Sequence, residues 1–541
     1  MERGIMARFK KVLIIITEII IVVTALFLAL VIFVIKPDKE NYVFDISNQV
    51  FVSEVIPNIV WLIVFFVILV VCLYFLRKKD EVVDSLPKVF LIVASVLLLI
   101  MQIVLVYTTY FSVGNDAGIV ATGAEYFADG IFDEFYNQRY YQYAPNNLYI
   151  YAIYIIVFKI ASIININANL ILAVISALLA NVSVLLSGLC VWEITRKRCY
   201  VYFTYVIGAL LFALQAWIVV PYTDSLSIVF PILTLYIYLK MRDWKGNVIL
   251  KWLIISIVPL LTYSLKALNV IIIIAILISA FLHREDGLKK VLMSIAGVVL
   301  AFFIGLLIHL CVEKAVNITP DDDMKLDISW YLLLGSNYNT YGQFNFNDYN
   351  LIFSYDEKEE RDSKAFECVR NRIADMGVLG LARHWVNESH IFYNDPTFGW
   401  GVADYTFEDI PIREGELSQF IRDIYYPSPG YGFVMNNQTE GYGNNYWLYV
   451  YFRQILWIPI LSLMLFYFVF NRNKEIIAGI LSLTFVGVFI FSMIFETSSR
   501  LLISYLPIFT VTSVIGLRDL VDLLREKTRK LIYEHTKKGK Q

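Results

Sequence analysis

"NNLYIYAIYIIVFKIASIININAN", residues 146–169, is apolar for about the length of a bilayer crossing, yet Tyr149, Tyr151, Tyr154 and Lys159 interrupt it. Whether it crosses decides the side of the membrane on which every later loop emerges. The surroundings set the question. The chain has 541 residues, 58% hydrophobic, 16% aromatic and only 17% charged, which excludes an ordinary soluble globular protein. Apolar runs of about 17 to 25 residues recur throughout, so the fold class is an all-α polytopic membrane protein. The first run, "VLIIITEIIIVVTALFLALVIFVI" at 12–35, is too long for a signal-peptide core and lacks a small-residue cleavage site after it. It is expected to be a retained helix.

Orientation follows from the basic connections. "ARFKK", "RKKDE" at 77–81, "TRKR" at 195–198, "KMRDWKGN" at 240–247, "HREDGLKK" at 283–290, "NRNK" at 471–474 and the tail from Arg525 are all expected in the cytoplasm. Segment 313–446 holds 22 Asp and Glu against 10 Lys and Arg, leaving the rest of the chain at +10, and is expected outside. Spans are then expected near 12–36, 58–76, 88–111, 169–193, 200–219, 225–240, 249–264, 267–282, 289–312, 447–470, 475–495 and 501–518. Counting 147–164 as a thirteenth would send "TRKR" and each later basic loop to the outer face. Parity therefore predicts twelve crossings and a juxtamembrane helix at 147–164, where tyrosine rings and a snorkelling lysine suit the interface.

Five organisational parts follow. Residues 1–87 carry two N-terminal helices. Residues 88–312 form a transmembrane module with an outer loop at 112–168, and 313–446 form an extracytoplasmic domain of mixed structure. Residues 447–518 carry the C-terminal spans, and 519–541 a basic cytoplasmic tail. The domain is aromatic enough to bury a core. Its stretch "EKEERDSKAFECVRNRIADMG" reads as a helix with Phe366, Val369, Ile373 and Met376 as an apolar stripe. "YYPSPGYGFVMNNQTEGYGNN" at 425–445 reads either as a mobile flap or as a surface loop. Sequons at Asn317, Asn387 and Asn437 matter only in a eukaryotic secretory compartment.

Cys72, Cys190, Cys199, Cys311 and Cys368 show no CxxC spacing, so neither a disulfide framework nor a zinc site is indicated. His384 and His390, in "RHWVNESH", read as polar loop residues more readily than as metal ligands. Polar residues that break the apolar pattern near the outer face are more telling. They are Asp116 in "GNDAGIVATGAEYFADG", the run "YYQYAPNN" at 140–147, Asp224 in "VVPYTDSLS", Lys266 in "TYSLKALN", and Glu496 and Arg500 in "FETSSR". Ionisable groups at membrane depth are costly, so each is a functional candidate by default.

These residues carry a resemblance. "GNDAGIVATGAEYFADG" with "YAPNNLYIY" resembles the first long outer loop of the GT-C superfamily, integral membrane glycosyltransferases that use polyprenyl-phosphate-linked sugars. "PYTDSL" is similar to a lumenal stretch of the GPI mannosyltransferase type, and "LKALNVI" to a lysine-bearing helix start in bacterial wall-glycan relatives. "WYLLLGSNYNTYGQFN" and "LARHWVNESHIFYNDPTFGW" resemble outer segments of Gram-positive members; protein mannosyltransferases and aminoarabinose transferases belong to the same superfamily. The resemblance covers about residues 88–518. It departs from the family pattern twice. The acidic loop follows the third span instead of the first, and Asn115 stands where the family has an acidic residue, which puts a two-carboxylate metal scheme in doubt.

The resemblance implies transfer of one sugar, with inversion, from a polyprenyl phosphate to an extracytoplasmic glycan, lipid or protein at the plasma membrane. The lipid bilayer is then a partner and nucleic acid is not; no cofactor is required, with a divalent metal left open. Such chemistry needs a base within about 3 Å of the acceptor oxygen and fixed positive charge at the departing phosphate. Asp116 is the expected base, although a helix N-cap would use the same residue. Lys266 and Arg500 are the available cations. Arg500 and Glu496 would alternatively pair across one helical turn, and Lys266 would snorkel. Asp224 either caps a span or positions substrate. Asn115, Tyr140, Tyr141, Tyr143, Asn146 and Asn147 suit sugar stacking and hydroxyl recognition, and an aromatic belt would use the tyrosines equally. A transporter or flippase, and a lipid-linked glycan polymerase or ligase, are the rival classes. The first would show repeated halves, and the second differs in its lipid diphosphate donor.

Overall fold

The computed structural model describes residues 2–37, 52–76, 89–283, 287–402, 407–412, 414–427, 441–471 and 475–538. The basic stretch 77–81, most of "NRNK" and the centre of the 425–445 loop lie outside the described residues.

The structure is 81% helical. Among the described residues nine helices are long and apolar enough to cross a membrane: Arg8–Phe33, Val89–Thr109, Pro145–Ile164, Ala168–Thr195, Thr223–Met241, Lys289–Val316, Tyr446–Asn471, Ile476–Ile494 and Ser499–Lys527. Four shorter apolar helices, Asn58–Ile68, Arg198–Ala213, Val248–Ser264 and Ala267–His283, fall on further expected spans. Pro145–Ile164, set aside from the crossings by parity, meets the same length and hydropathy measure as its neighbours. Its Tyr151 and Tyr154 are buried against the bundle while Ile156, Ile160 and Ile163 are exposed.

Two kinds of helix make up the bundle. Lys289–Val316 and Val89–Thr109 present Leu307, Phe303, Ile92 and Leu97 outward, as lipid-facing helices do. Ser499–Lys527 is almost wholly enclosed. Gly516 lets this helix come close to Tyr446–Asn471, for a Cβ there would lie 2.3 Å from the Leu463 carbonyl.

Several helices break toward one end of the bundle. After Arg198–Gly208 the chain passes through a π turn at Ala209–Ala213 and a 3-10 turn at Ala216–Val219, and 3-10 turns also occupy Ala267–Val270 and Ser499–Tyr505. A backbone freed of helical bonding needs partners away from water. Here side chains supply them: Gln102 Nε2 donates to the Ala213 carbonyl at 2.8 Å, Tyr425 Oη to Leu214 at 3.0 Å, Trp217 Nε1 to Phe398 at 2.8 Å, and Tyr505 Oη to Leu268 at 2.6 Å.

Segment 313–446 has a small core of Trp330, Leu333, Leu334, Ile352 and Ala365, formed by helices Ile328–Gly335, Phe346–Ile352 and the start of Lys358–Asn394. The expected apolar stripe is corrected here. Phe366 and Ile373 are exposed, whereas Val369 packs inward as expected, with Ala365 and Cys368 beside it. "RHWVNESH" is not a loop but part of the same long helix, which kinks at Gly377 and then buries Asn387–Asn394 against the bundle. That stretch is polar because it is hydrogen-bonded inside. Asn58 donates to Asn394 Oδ1 at 3.0 Å and to the Ile32 carbonyl at 2.9 Å, tying the N-terminal helices to it. A two-stranded antiparallel sheet, Ser112–Val113 with Phe407–Asp409, joins the segment to the end of Val89–Thr109.

Candidate functional site

Helix Asn115–Asp129 opens the site. Gly114 is its N-cap residue and no side chain caps it, so Asp116 is not the cap that the sequence allowed. Asn115 takes a left-handed backbone, φ 53°, and turns the chain so that Asp116 falls in the first turn. Small residues seat the helix: a Cβ on Gly118 would lie 2.3 Å from the Val113 carbonyl, and one on Gly123 2.4 Å from that of Tyr136. Asp116 is exposed and lies near enough to Tyr140 for its charge to act on that phenol.

A chain of hydrogen bonds runs inward from there. Asn147 Nδ2 donates to Tyr140 Oη at 2.7 Å, and Asn147 Oδ1 accepts from Tyr222 Oη at 2.8 Å. Burial pushes the Tyr140 phenol up, and the neighbouring Tyr222 and Asp116 push it further. Burial and the Asp116 charge do the same to Tyr222, while Arg500 pulls it back. Both phenols therefore stay protonated, and the chain has one direction, from Tyr222 through Asn147 to Tyr140 on the Asp116 side.

Beside it lies a charged group. Lys266 Nζ pairs with Asp224 Oδ1, both side chains nearly inaccessible at 5% and 7%, and Arg500 Nε stands 3.7 Å from Asp224 Oδ2. Burial pulls the Lys266 ammonium down against the opposing pull of Asp224. Asp224 has the two cations as partners and makes no cap bond, since the N-cap position is Tyr222. Glu496 lies in the non-helical connection before Ser499–Tyr505, so the one-turn Glu496–Arg500 helical pairing allowed by the sequence does not apply. Burial raises the Glu496 carboxyl; the Arg500 charge works against that rise, and those of Asp116 and Asp224 add to it.

Asp116, Tyr140, Asn147, Asp224, Lys266, Glu496 and Arg500 thus come together from five separate stretches of sequence. Four expected residues do not join them directly. Tyr141 is fully buried, its ring 4.6 Å from that of Tyr151, and offers no face to a sugar. Asn146 is exposed beyond the hydrogen-bond chain, and Asn115 serves the turn. Tyr143 packs on Phe353 at 5.1 Å. Two residues were missed. Tyr222 sits two positions before Asp224 in the quoted "PYTDSL". Tyr331, on Ile328–Gly335, is pushed up by burial and by the charges of Glu496 and Asp116, which places segment 313–446 over the cluster.

Among the described residues no three His, Cys, Asp or Glu side chains gather as a metal group. His384 Nε2 faces the Gly335 carbonyl at 2.7 Å and Glu388 at 3.2 Å, while His390 bonds Asn394. Glu125 and Asp129 lie farther along their helix, where they line a separate 330 Å³ cavity with Phe158, Asn165 and Asn167.

No curated protein and no solved structure matches the chain. One family model, described as conserved hypothetical integral membrane protein, matches residues 10–520, and the chain belongs to that family.

Proposed function

We propose that this protein is a GT-C-like membrane glycosyltransferase of the plasma membrane, with twelve crossings and its site outside the cytoplasm. It takes a monosaccharide from a polyprenyl phosphate and transfers it to a glycan, lipid or protein acceptor. The observation that carries this reading is the gathering, from distant connections, of the exposed carboxylate Asp116 beside the Tyr140 phenol and of a buried Lys266–Asp224 pair that Arg500 faces. Ionisable groups so placed in an apolar bundle are expensive and mark sites of function.

The chemistry follows from the roles. The acceptor hydroxyl attacks the anomeric carbon, the bond from that carbon to the phosphate oxygen breaks, and the acceptor proton passes to Asp116. The phosphate keeps the electron pair and leaves with its lipid. Tyr140 holds the carboxylate in place. Lys266 and Arg500 meet the phosphate, Arg500 with a planar donor fork and Lys266 as a point charge. Asp224 keeps both cations charged and in position while the site is empty.

The test is transfer of radiolabelled sugar from polyprenyl monophosphate donors in membranes carrying wild type, Asp116→Asn or Asp116→Ala at equal folded protein. Wild-type transfer that drops by about 10³-fold or more in both variants is expected, as for loss of an essential base. Absence of wild-type transfer from every monophosphate donor, with lipid-linked glycan still lengthening or crossing the bilayer, sinks the reading in favour of a polymerase or a flippase.

A further inference from the structure

The connection that carries Glu496 and Arg500 alternates. Glu496 and Arg500 face the charged cluster, whereas Thr497 and Ser499 turn the other way and are buried. Each of the two meets a buried carboxylate from segment 313–446. Thr497 Oγ1 donates to Glu388 Oε1 at 3.1 Å, and Ser499 Oγ donates to Asp395 Oδ2 at 3.4 Å. The Thr497 backbone N–H also leaves its own chain and donates to the Gly342 carbonyl at 2.7 Å.

Both carboxylates are themselves fixed. Asp395 accepts from Thr397 N at 2.8 Å, Thr397 Oγ1 at 2.7 Å and Gly399 N at 2.6 Å. Glu388 is fully inaccessible and stands 3.2 Å from His384 Nε2. Gly342, at φ 80°, walls this contact, because a Cβ there would come within 2.3 Å of Thr497 Oγ1 and 2.5 Å of Glu388 Oε1. Nothing helical holds 496–498, so the Thr497 N–H bond to Gly342 and the side-chain bonds to these carboxylates together set which way its residues point.

We propose that Glu388 and Asp395 are positioning residues for the charged cluster. They grip Thr497 and Ser499 and so present Glu496 and Arg500 to Asp224 and Lys266. Segment 313–446 then builds one wall of the site instead of merely covering it. What the wall does for catalysis rests on the glycosyltransferase reading; the grip itself does not.

The test separates the two. Ser498→Cys, in full-length protein whose five native cysteines are replaced, reports the connection by its rate of modification with a water-soluble maleimide. Thr497→Val and Glu388→Ala are expected to raise that rate about tenfold, the effect of one lost hydrogen bond on a local opening, while Thr497→Ser leaves it within about twofold. Ser499→Ala gives a second reading from the other end of the grip. In a transfer assay Thr497→Val should lower kcat by about 10²-fold with KM little changed, as for a misplaced group, and Thr497→Ser should restore it. Equal modification rates in Thr497→Val, Ser499→Ala and the parent overturn the proposal. Altered rates in a protein that transfers no sugar sink the proposed function and leave the grip standing.

Discussion

Two carboxylates in this molecule each hold two cations. Asp224 has Lys266 and Arg500, and Glu193, at a helix end next to "TRKR", has Arg196 at 2.7 Å and Lys240. The stoichiometry is the same and the surroundings are not. Lys240 and Arg196 keep about half of their side-chain surface in the open, at 49% and 56%, whereas Lys266 keeps 5% and Arg500 28%. Water already solvates the first group's cations, so the pairing adds little. The second group has given up that solvation, and such a cost persists where the charge is used.

Breaking the buried group should therefore have the largest effect. Asp224→Asn strands an unpaired ammonium in the bundle and should cost about 3–5 kcal/mol of stability, read as a lower unfolding midpoint in detergent. Asp224→Asn combined with Lys266→Met removes both charges. The double variant should recover most of that stability and none of the transfer activity. Recovery of activity would mean that the pair is structural only, and the contrast with Glu193 would collapse.

The hydrogen-bond chain comes next in size. Tyr140→Phe removes the phenol beside Asp116 and should lower kcat by about 10- to 100-fold, with Tyr222→Phe, farther along the chain, losing less. A larger loss at Tyr222 than at Tyr140 would reverse the direction argued for the chain.

These residues show how far a sequence carries. Asp116, Asp224, Lys266, Glu496 and Arg500 stand out because charge inside apolar runs is rare and costly. Tyr222 and Tyr331 do not, since 36 tyrosines share the chain and only the folded contacts single out two of them. The cap reading of Asp116 failed through the left-handed turn at Asn115, a backbone choice that asparagine permits without announcing it. The buried half of Lys358–Asn394 was illegible for the opposite reason. Its Asn387, Glu388, His390 and Asn394 look like surface until partners on other helices satisfy them. Helix periodicity and hydropathy located the apolar helices, but the irregular turns at 209–219 and 496–505 depend on side chains far away in sequence.

Glu388 allows a smaller, signed test. Burial pushes its carboxyl from 4.5 up to about 7, with His384 and Thr497 pulling it back, so the folded protein keeps a proton that the unfolded chain releases. Its stabilising contribution is complete below pH 4.5 and is lost as pH rises to about 7. Burial pulls the neighbouring His384 down and its rise against that pull depends on the Glu388 charge, so the two share one proton and count once in this window. His390, pulled by burial to about 4, works oppositely between 6.5 and 4. The midpoint difference between wild type and Glu388→Gln cancels His390 and should fall with rising pH across that window. A difference that stays flat instead would mean that Glu388 is held as a carboxylate throughout.

The smallest effect is expected at the other carboxylate, where the comparison is sharpest. Glu193→Gln leaves Arg196 and Lys240 without their partner, yet both reach water and Arg196 also lies 5.8 Å from the Trp192 ring centroid. The cost should be about 0–1 kcal/mol, and transfer activity should stay within about twofold because, among the described residues, no ion pair joins this group to the cluster. Raising salt should shrink the loss further, since both carboxylates are buried but the cations of this group reach water and are screened. Should Glu193→Gln cost as much as Asp224→Asn, at any salt, burial would not be what separates the two groups, and the case for Asp224 would have to rest on activity alone.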